Sequence, residues 1–287
     1  MSSTTVELQN KINNLRSLYK ERNLPEKWLY DILKDIHIWS IHSMRNGGNY
    51  SIQKQQEKWF DLIFSGELLR IGRLQYIKAQ FGGRIVVFRR KNELAVLSEA
   101  DLCFDENGMR VDNGWKSILK LQDNCWIGNP IRNGKAEKEL VKLNADEWKI
   151  VLRYNDPMIA IHIPEDGPMY REECQKSLQQ ATAWFAAHDP DWKGFFCQSW
   201  FLNPFFQEIL PETSNIIQFQ QMGFLYPMGL KSDVLVRLYP GKLQDFVLTK
   251  QNAGFEFKNS GMFILKDDDN SLILFNRGNF KSPAKFD

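Results

Sequence analysis

The chain has 287 residues, enough for one large domain or two smaller ones, and 43% of them are hydrophobic, so it can bury a sizeable core. Its 37 basic and 35 acidic residues are intermixed and leave a formal charge of +2, which supplies no concentrated basic face for nucleic acid or anionic membrane. The start MSSTTVELQNKINN lacks the features of a signal peptide, no apolar run reaches the roughly 18 residues of a membrane span, and four scattered cysteines form no Cys-x-x-Cys pair, so the expectation is a cytoplasmic protein with free thiols, no metal site and a small-molecule substrate.

The first sixty residues predict three helices. Leu8, Ile12, Leu15 and Tyr19 step by three or four and share one helical face. Pro25 suits a first helical turn, and a second helix follows from Glu26 to about Met44 with Leu29, Leu33, Ile36 and Trp39 or Ser40 as its stripe. RNGGNYS breaks it, and a third helix runs from about Ile52 to Phe64. His37 and His42, five apart, do not meet on one face and make no metal pair.

Past Gly66 the period changes. GELLRIGRLQYIKA, GRIVVFRRK and ELAVLS read as a meander of antiparallel strands. Residues 104–138 are rich in Gly, Asn, Asp and Pro and read as loops with a short helix near Trp115 to Leu119. LVKLNADEWKIVL reads as a strand and a short helix capped by Asn144. Ile159, Ile161 and Ile163 then alternate along a buried strand that ends on His162, and PEDGP stops it. Cys174, Leu178, Ala181 and Phe185 mark the next helix, and GFFCQSWFL an interior strand. A helix after Asn203-Pro204, another in PETSNIIQFQQMGF capped by Thr213 or Ser214, and strands in VLVRLY, FEFKNSGMFIL and SLILFN complete an α+β fold with a mixed sheet.

The strand–helix–strand unit gathers polar residues at both strand ends: His162 and Glu165 on one, Gln198, Ser199 and Asn203 on the other. Such ends bind ligands because backbone groups go unpaired where the sheet stops. Arg73 and Gln75 lie in a strand among apolar residues, which places them either at solvent or in a cleft.

ERNLPEKWLYDILKDIHIW, LLRIGRLQY, EWKIVL followed by MIAIHIPEDGPM, and CQSWFLNP followed by LPETSNIIQF resemble, in order and spacing, the bacterial family of acyltransferase-domain proteins with a GNAT-like C-terminal domain. The likeness runs from about Leu15 to Phe219. It implies a helical domain over residues 1–65, a GNAT-like domain over 66–287, and acyl transfer from an acyl-CoA thioester. In that reading the backbone of the strand reaching His162 and Ile163 polarises the thioester carbonyl. The helix starting near Tyr170 presents its N-terminus to the pyrophosphate, and the strand ending near Trp200 admits the pantetheine arm. His162 or Glu165 takes a proton from an attacking amine, and Ser199 or Cys197 returns one to the thiolate. Arg73, Gln75, Gly167, Asn203, Ser214 and Asn215 complete the candidate binding set.

The loop PEDGPMYREE departs from the family's glycine-rich pyrophosphate loop. It has one glycine, and Glu165, Asp166, Glu172 and Glu173 surround the helix start, where acids stabilise a helix but oppose a cofactor anion. Two further readings therefore stand beside acyl transfer. One is a GNAT-like module that binds a small molecule or a protein without turnover. The other is a hydrolase using Cys197 and His162, which lacks a third orienting residue.

Overall fold

The computed structural model describes residues 3–45, 57–231, 241–252, 254 and 256–273. The expected break at 46–51, the first residues of the third helix, the strand VLVRLY and the end of SLILFN fall outside them. The chain forms two compact units, Met1–Lys78 with Ile159–Pro190, and Ala79–Met158 with Asp191–Asp287.

In the first unit α1 spans Ser3–Glu21 and α2 Glu26–Arg45. Leu15 and Tyr19 are buried, and the chain turns at Asn23, whose positive φ lets Leu24 N–H reach back to the Tyr19 carbonyl at 2.8 Å. The inward stripe of α2 is not quite the expected one. Leu29, Ile32 and Ile36 are buried, Leu33 is only half-buried, and two carboxylates, Asp31 and Asp35, are buried with them. Helix α3, Glu57–Phe64, buries Phe60 and Ile63.

Strands β1 (Leu69–Ile71) and β2 (Leu74–Gln80) form an antiparallel hairpin with Arg70 opposite Gln75, turning at Gly72 with φ 65°. Strand β13, Pro157–His162, lies next to β2, and its residues Met158 to Ile161 are all buried, so both faces of this strand are covered. Helix α4, Arg171–His188, buries Cys174, Leu178, Ala181 and Phe185 as the spacing predicts. It also buries Ser177, whose hydroxyl accepts from Leu74 N–H at 3.2 Å, donates to the Ile71 carbonyl and meets the Tyr76 hydroxyl at 2.8 Å. One serine thus pins α4 to the hairpin.

In the second unit β3 (Ile85–Arg90) and β4 (Glu93–Ser98) pair antiparallel, but they do not continue the β1–β2 hairpin as one meander. Phe81 breaks the run by exchanging backbone hydrogen bonds with Asn155 and Asp156, and β3 then pairs with β12 (Lys149–Leu152). Residues 104–138 hold strands where a loop and short helix are expected. β5 (Cys103–Phe104) pairs with β6 (Trp115–Lys116), β7 (Leu119–Gln122) with β8 (Cys125–Gly128), and β9 (Ile131–Arg132) with β10 (Lys135–Ala136). The hairpin β7–β8 turns at Asp123 and Asn124, both with positive φ, a conformation these two residue types tolerate.

Strand β11, Val141–Asn144, joins β8 as its third neighbour. Asn144 does cap the next turn, its side-chain oxygen accepting from Asp146 N–H at 2.8 Å, but that turn leads into β12 rather than a helix. Burial explains the difference: Val141, Leu143 and Trp148 pack with Val86, Phe88, Ala95 and Leu97, and a helix would carry Trp148 out of that cluster.

Strand β14, Gly194–Ser199, ends three residues earlier than expected, because Trp200–Leu202 form a 3₁₀ turn. Helices α5 (Phe206–Ile209) and α6 (Asn215–Gln220) follow. β15 (Phe224–Lys231) and the helix α7 (Lys242–Asn252) carry no sequence expectation, and β16 (Lys258–Lys266) and β17 (Leu272–Ile273) match late strands. The order is β14-β16-β15 with β17 on β16, all antiparallel. Any side chain at Gly261 would run into the ring of Tyr226 on β15, so this strand contact requires glycine.

Candidate functional site: the loop after β13

His162 ends β13 half-buried, its ring 4.8 Å from that of Trp59 and tilted edge-on to it. Burial disfavours its protonated form and holds its pKa below the ordinary histidine value, so the imidazole is neutral at physiological pH and able to accept a proton. Ile163 and Pro164 turn inward after it, while Glu165 and Gly167 are exposed.

The loop that follows is held by Arg73, itself buried. Its Nε donates to the Pro168 carbonyl at 2.8 Å, and its Nη2 donates to the carbonyls of Pro164, at 2.9 Å, and Gly167. Its Nη1 makes no hydrogen bond and faces the Asp166 carboxylate at 3.8 Å. Burial opposes the Arg73 charge, and Asp166 offsets that penalty.

Arg70, one hairpin position away, is buried as well. It donates to Asp166 Oδ2 at 2.6 Å and to the Asp31 carbonyl at 3.1 Å, and lies 3.6 Å from Asp35 Oδ1. Asp35 accepts in turn from Gln75 and Trp59. Burial raises the Asp35 pKa, and the hydrogen bond from Gln75 and the Arg70 charge act against that rise. Arg73 and Gln75 therefore face inward, and they belong to one charged network with Asp35, Arg70 and Asp166. Sequence reasoning missed Asp31, Asp35 and Arg70. The available signal was two acids four apart on α2, on the turn that also carries Ile32 and Ile36.

Helix α4 begins where this loop ends. Its N-cap, Tyr170, makes no side-chain cap hydrogen bond, so the first-turn N–H groups of an 18-residue helix are left uncapped by it.

The remaining candidates lie in the second unit. Cys197 is buried, and burial pushes its thiol up to about 12, so it is a protonated, apolar side chain at neutral pH. Ser199 is half-buried at the end of β14, opposite Ser260 on β16. Trp200 packs edge-on against Phe201 and Phe206. Asn203 is buried; its amide donates to the Lys258 carbonyl at 2.9 Å and its oxygen accepts from Phe205 N–H at 3.0 Å. Ser214 occupies the N-cap of α6 without a side-chain cap bond, and Asn215 is the first residue of that helix. Among the described residues no group of three or more His, Cys, Asp or Glu is placed to hold a metal ion, and no helix is long and apolar enough to cross a membrane.

A helical N-terminal region, a mixed sheet flanked by helices and a strand that ends at an uncapped helix start define an α+β protein of the GNAT-like class. The family model of the GNAT-like C-terminal domain matches residues 68–249, well over half of the chain, and the chain belongs to that family. Solved structures share the fold at low identity. An acyltransferase in complex with decanoyl-CoA and teicoplanin is 19% identical with a TM-score of 0.54 over 88% of this chain and 62% of its own. A mutant acyltransferase in complex with octanoyl-CoA is 19% identical with a TM-score of 0.56 over 89% and 63%. The chain thus spans a little under two thirds of the length of those enzymes. No curated protein matches it.

Proposed function

We propose that the protein is an acyltransferase that moves an acyl group from an acyl-CoA thioester to a small-molecule amine. Membership of the GNAT-like family and the acyl-CoA complexes of structurally similar acyltransferases support a thioester donor. The observation in this chain that carries the reading is the uncapped start of α4 directly after the arginine-held loop. Unpaired N–H groups and the helix dipole together favour an anion there, and the donor's pyrophosphate is that anion.

The reaction itself needs a base. As the amine nitrogen attacks the thioester carbon and the carbon–sulfur bond breaks, the nitrogen loses a proton, and His162 is a neutral imidazole at the end of β13 to receive it. The thiolate leaves as the thiol of coenzyme A after taking up a proton. Cys197 does not serve as nucleophile in this scheme, since a thiol held near 12 supplies almost no thiolate at neutral pH.

The test is direct. Octanoyl-CoA or decanoyl-CoA at 100 times its dissociation constant should stabilise the full chain by about 2.7 kcal/mol and raise its melting temperature. Release of free thiol with a panel of amines should then identify the acceptor class. His162→Ala should remain folded and lose that release. No melting shift with any acyl chain length would sink the donor reading. The acids Glu165, Glu172 and Glu173 around the loop favour a second reading, a GNAT-like module that binds without turnover; thioester binding with no thiol release for any acceptor would point to it.

A further inference from the structure

The loop after β13 has one glycine and two prolines, yet it must present backbone donors if α4 is to receive a pyrophosphate. We propose that Arg73 is the positioning residue that makes this possible: its buried guanidinium draws the carbonyls of the loop inward and thereby turns the loop's N–H groups outward, into line with the first turn of α4. This inference rests on the acyl-CoA donor reading and says how this chain builds the site.

The geometry is that of the peptide group. Among the described residues there is no cis peptide bond, so each carbonyl points opposite to the N–H of the next residue. The Pro168 carbonyl is fixed on Arg73 Nε at 2.8 Å, so the Met169 N–H faces the other way, away from the arginine. The Gly167 carbonyl is fixed on Nη2, and the residue after it is Pro168, which has no N–H to misplace. The next donors in the chain are those of α4, whose N-cap Tyr170 leaves them without a side-chain partner. Outside the loop, space is open: a Cβ built on Gly167 would meet nothing within 4 Å.

Two further observations bear on an anion. Arg73 is 91% buried, and its Nη1, which makes no hydrogen bond, faces the Asp166 carboxylate at 3.8 Å and so helps to hold that acid against the scaffold. Asp166, the loop acid that would most oppose a phosphate, is drawn back onto Arg70 at 2.6 Å, and only 21% of its side chain is exposed. The acids Glu172 and Glu173 remain exposed at the helix start. Affinity here comes from oriented N–H groups more than from net charge, and binding should depend only weakly on salt.

The experiment compares two probes on the full chain, decanoyl-CoA and S-decanoyl-pantetheine, which lacks the pyrophosphate. Arg73→Lys keeps the buried charge but cannot hold three carbonyls in a planar fork. It should raise the dissociation constant for decanoyl-CoA at least tenfold and leave that for the pantetheine thioester within twofold. Equal loss for both probes, or no loss for either, overturns the positioning role while leaving the donor reading intact. If the wild-type chain binds neither probe, the donor reading fails and this inference with it. Should Arg73→Lys not fold, amide hydrogen exchange on the wild-type chain decides: decanoyl-CoA should protect residues 169–173 and the pantetheine thioester should not, and binding of decanoyl-CoA without protection there overturns the proposal.

Discussion

The two units bury polar groups in different ways. In the first, charged side chains go inside: Arg70, Arg73, Asp31 and Asp35 are all buried, on α2 and on the β1–β2 hairpin. In the second, a single buried cation among the described residues, Lys258, pairs with the half-exposed Glu256 at 2.7 Å, and the buried side chains of Asn203 and Gln220 beside α5 and α6 are neutral amides. Asn203 holds the Lys258 carbonyl and the Phe205 N–H, and Gln220 donates to the Phe201 carbonyl at 2.6 Å and accepts from Gln207 at 2.8 Å. A neutral amide costs little once its hydrogen bonds are made, whereas a buried ion leaves a large penalty whenever its partner is removed. The charged arrangement is the one expected beside a site that must hold charge, and the neutral one is expected of scaffold.

Substitutions should separate the two arrangements. Arg70→Ala leaves the buried carboxylate of Asp35 without its cation and Asp166 with only the more distant Arg73, and urea unfolding should show a loss of about 3–5 kcal/mol. A loss under 1 kcal/mol would mean that Asp35 is already neutral and the charge contrast is overstated. Asn203→Ala strands one donor and one acceptor, and the same measurement should give about 1–3 kcal/mol. Lys138→Ala, which removes an exposed pair with Glu106 at 2.7 Å, should stay within about 0.5 kcal/mol.

Thiol accessibility sharpens the same contrast. Cys174 and Cys197 are buried, and burial pushes their thiols up to about 11 and about 12, whereas Cys103 and Cys125 are half-buried. A disulfide reagent at neutral pH should modify Cys103 and Cys125 in the native chain and reach the other two only on unfolding. Rapid native modification of Cys197 would return it to the list of candidate nucleophiles.

The smallest expected effect is the pH dependence from His162. Its folded pKa is depressed, so below the ordinary histidine value the unfolded chain takes up the proton more readily and stability falls as pH falls through that window. Asp35 acts oppositely, because its raised folded pKa makes the folded chain the better proton acceptor above the usual carboxylate range. The contribution of His162 is therefore read as a difference: His162→Gln should flatten the decline of the unfolding midpoint between about pH 7 and pH 5.5 relative to wild type. Identical slopes would show that His162 titrates as it does in the unfolded chain.

Local pattern determined a good deal of this protein. The step of three or four in Leu8 to Tyr19, Pro25 at a helix start, the alternation of Ile159 and Ile161 and the stripe from Cys174 to Phe185 each report which face of an element is apolar, and burial follows that face directly. The order of sequence blocks was enough to indicate the family. What escaped the sequence were features set by partners distant in the chain. Trp148 leads into a strand because Val86 and Leu97 are there to cover it, and Leu119–Gln122 is a strand because Cys125–Gly128 and Val141–Asn144 complete its sheet. The candidate site divides in the same way. His162 and its loop were visible as a polar end to an apolar strand, but the tie from Arg73 to carbonyls more than ninety residues away was not, because a buried arginine is tolerated only where the tertiary fold supplies its acceptors.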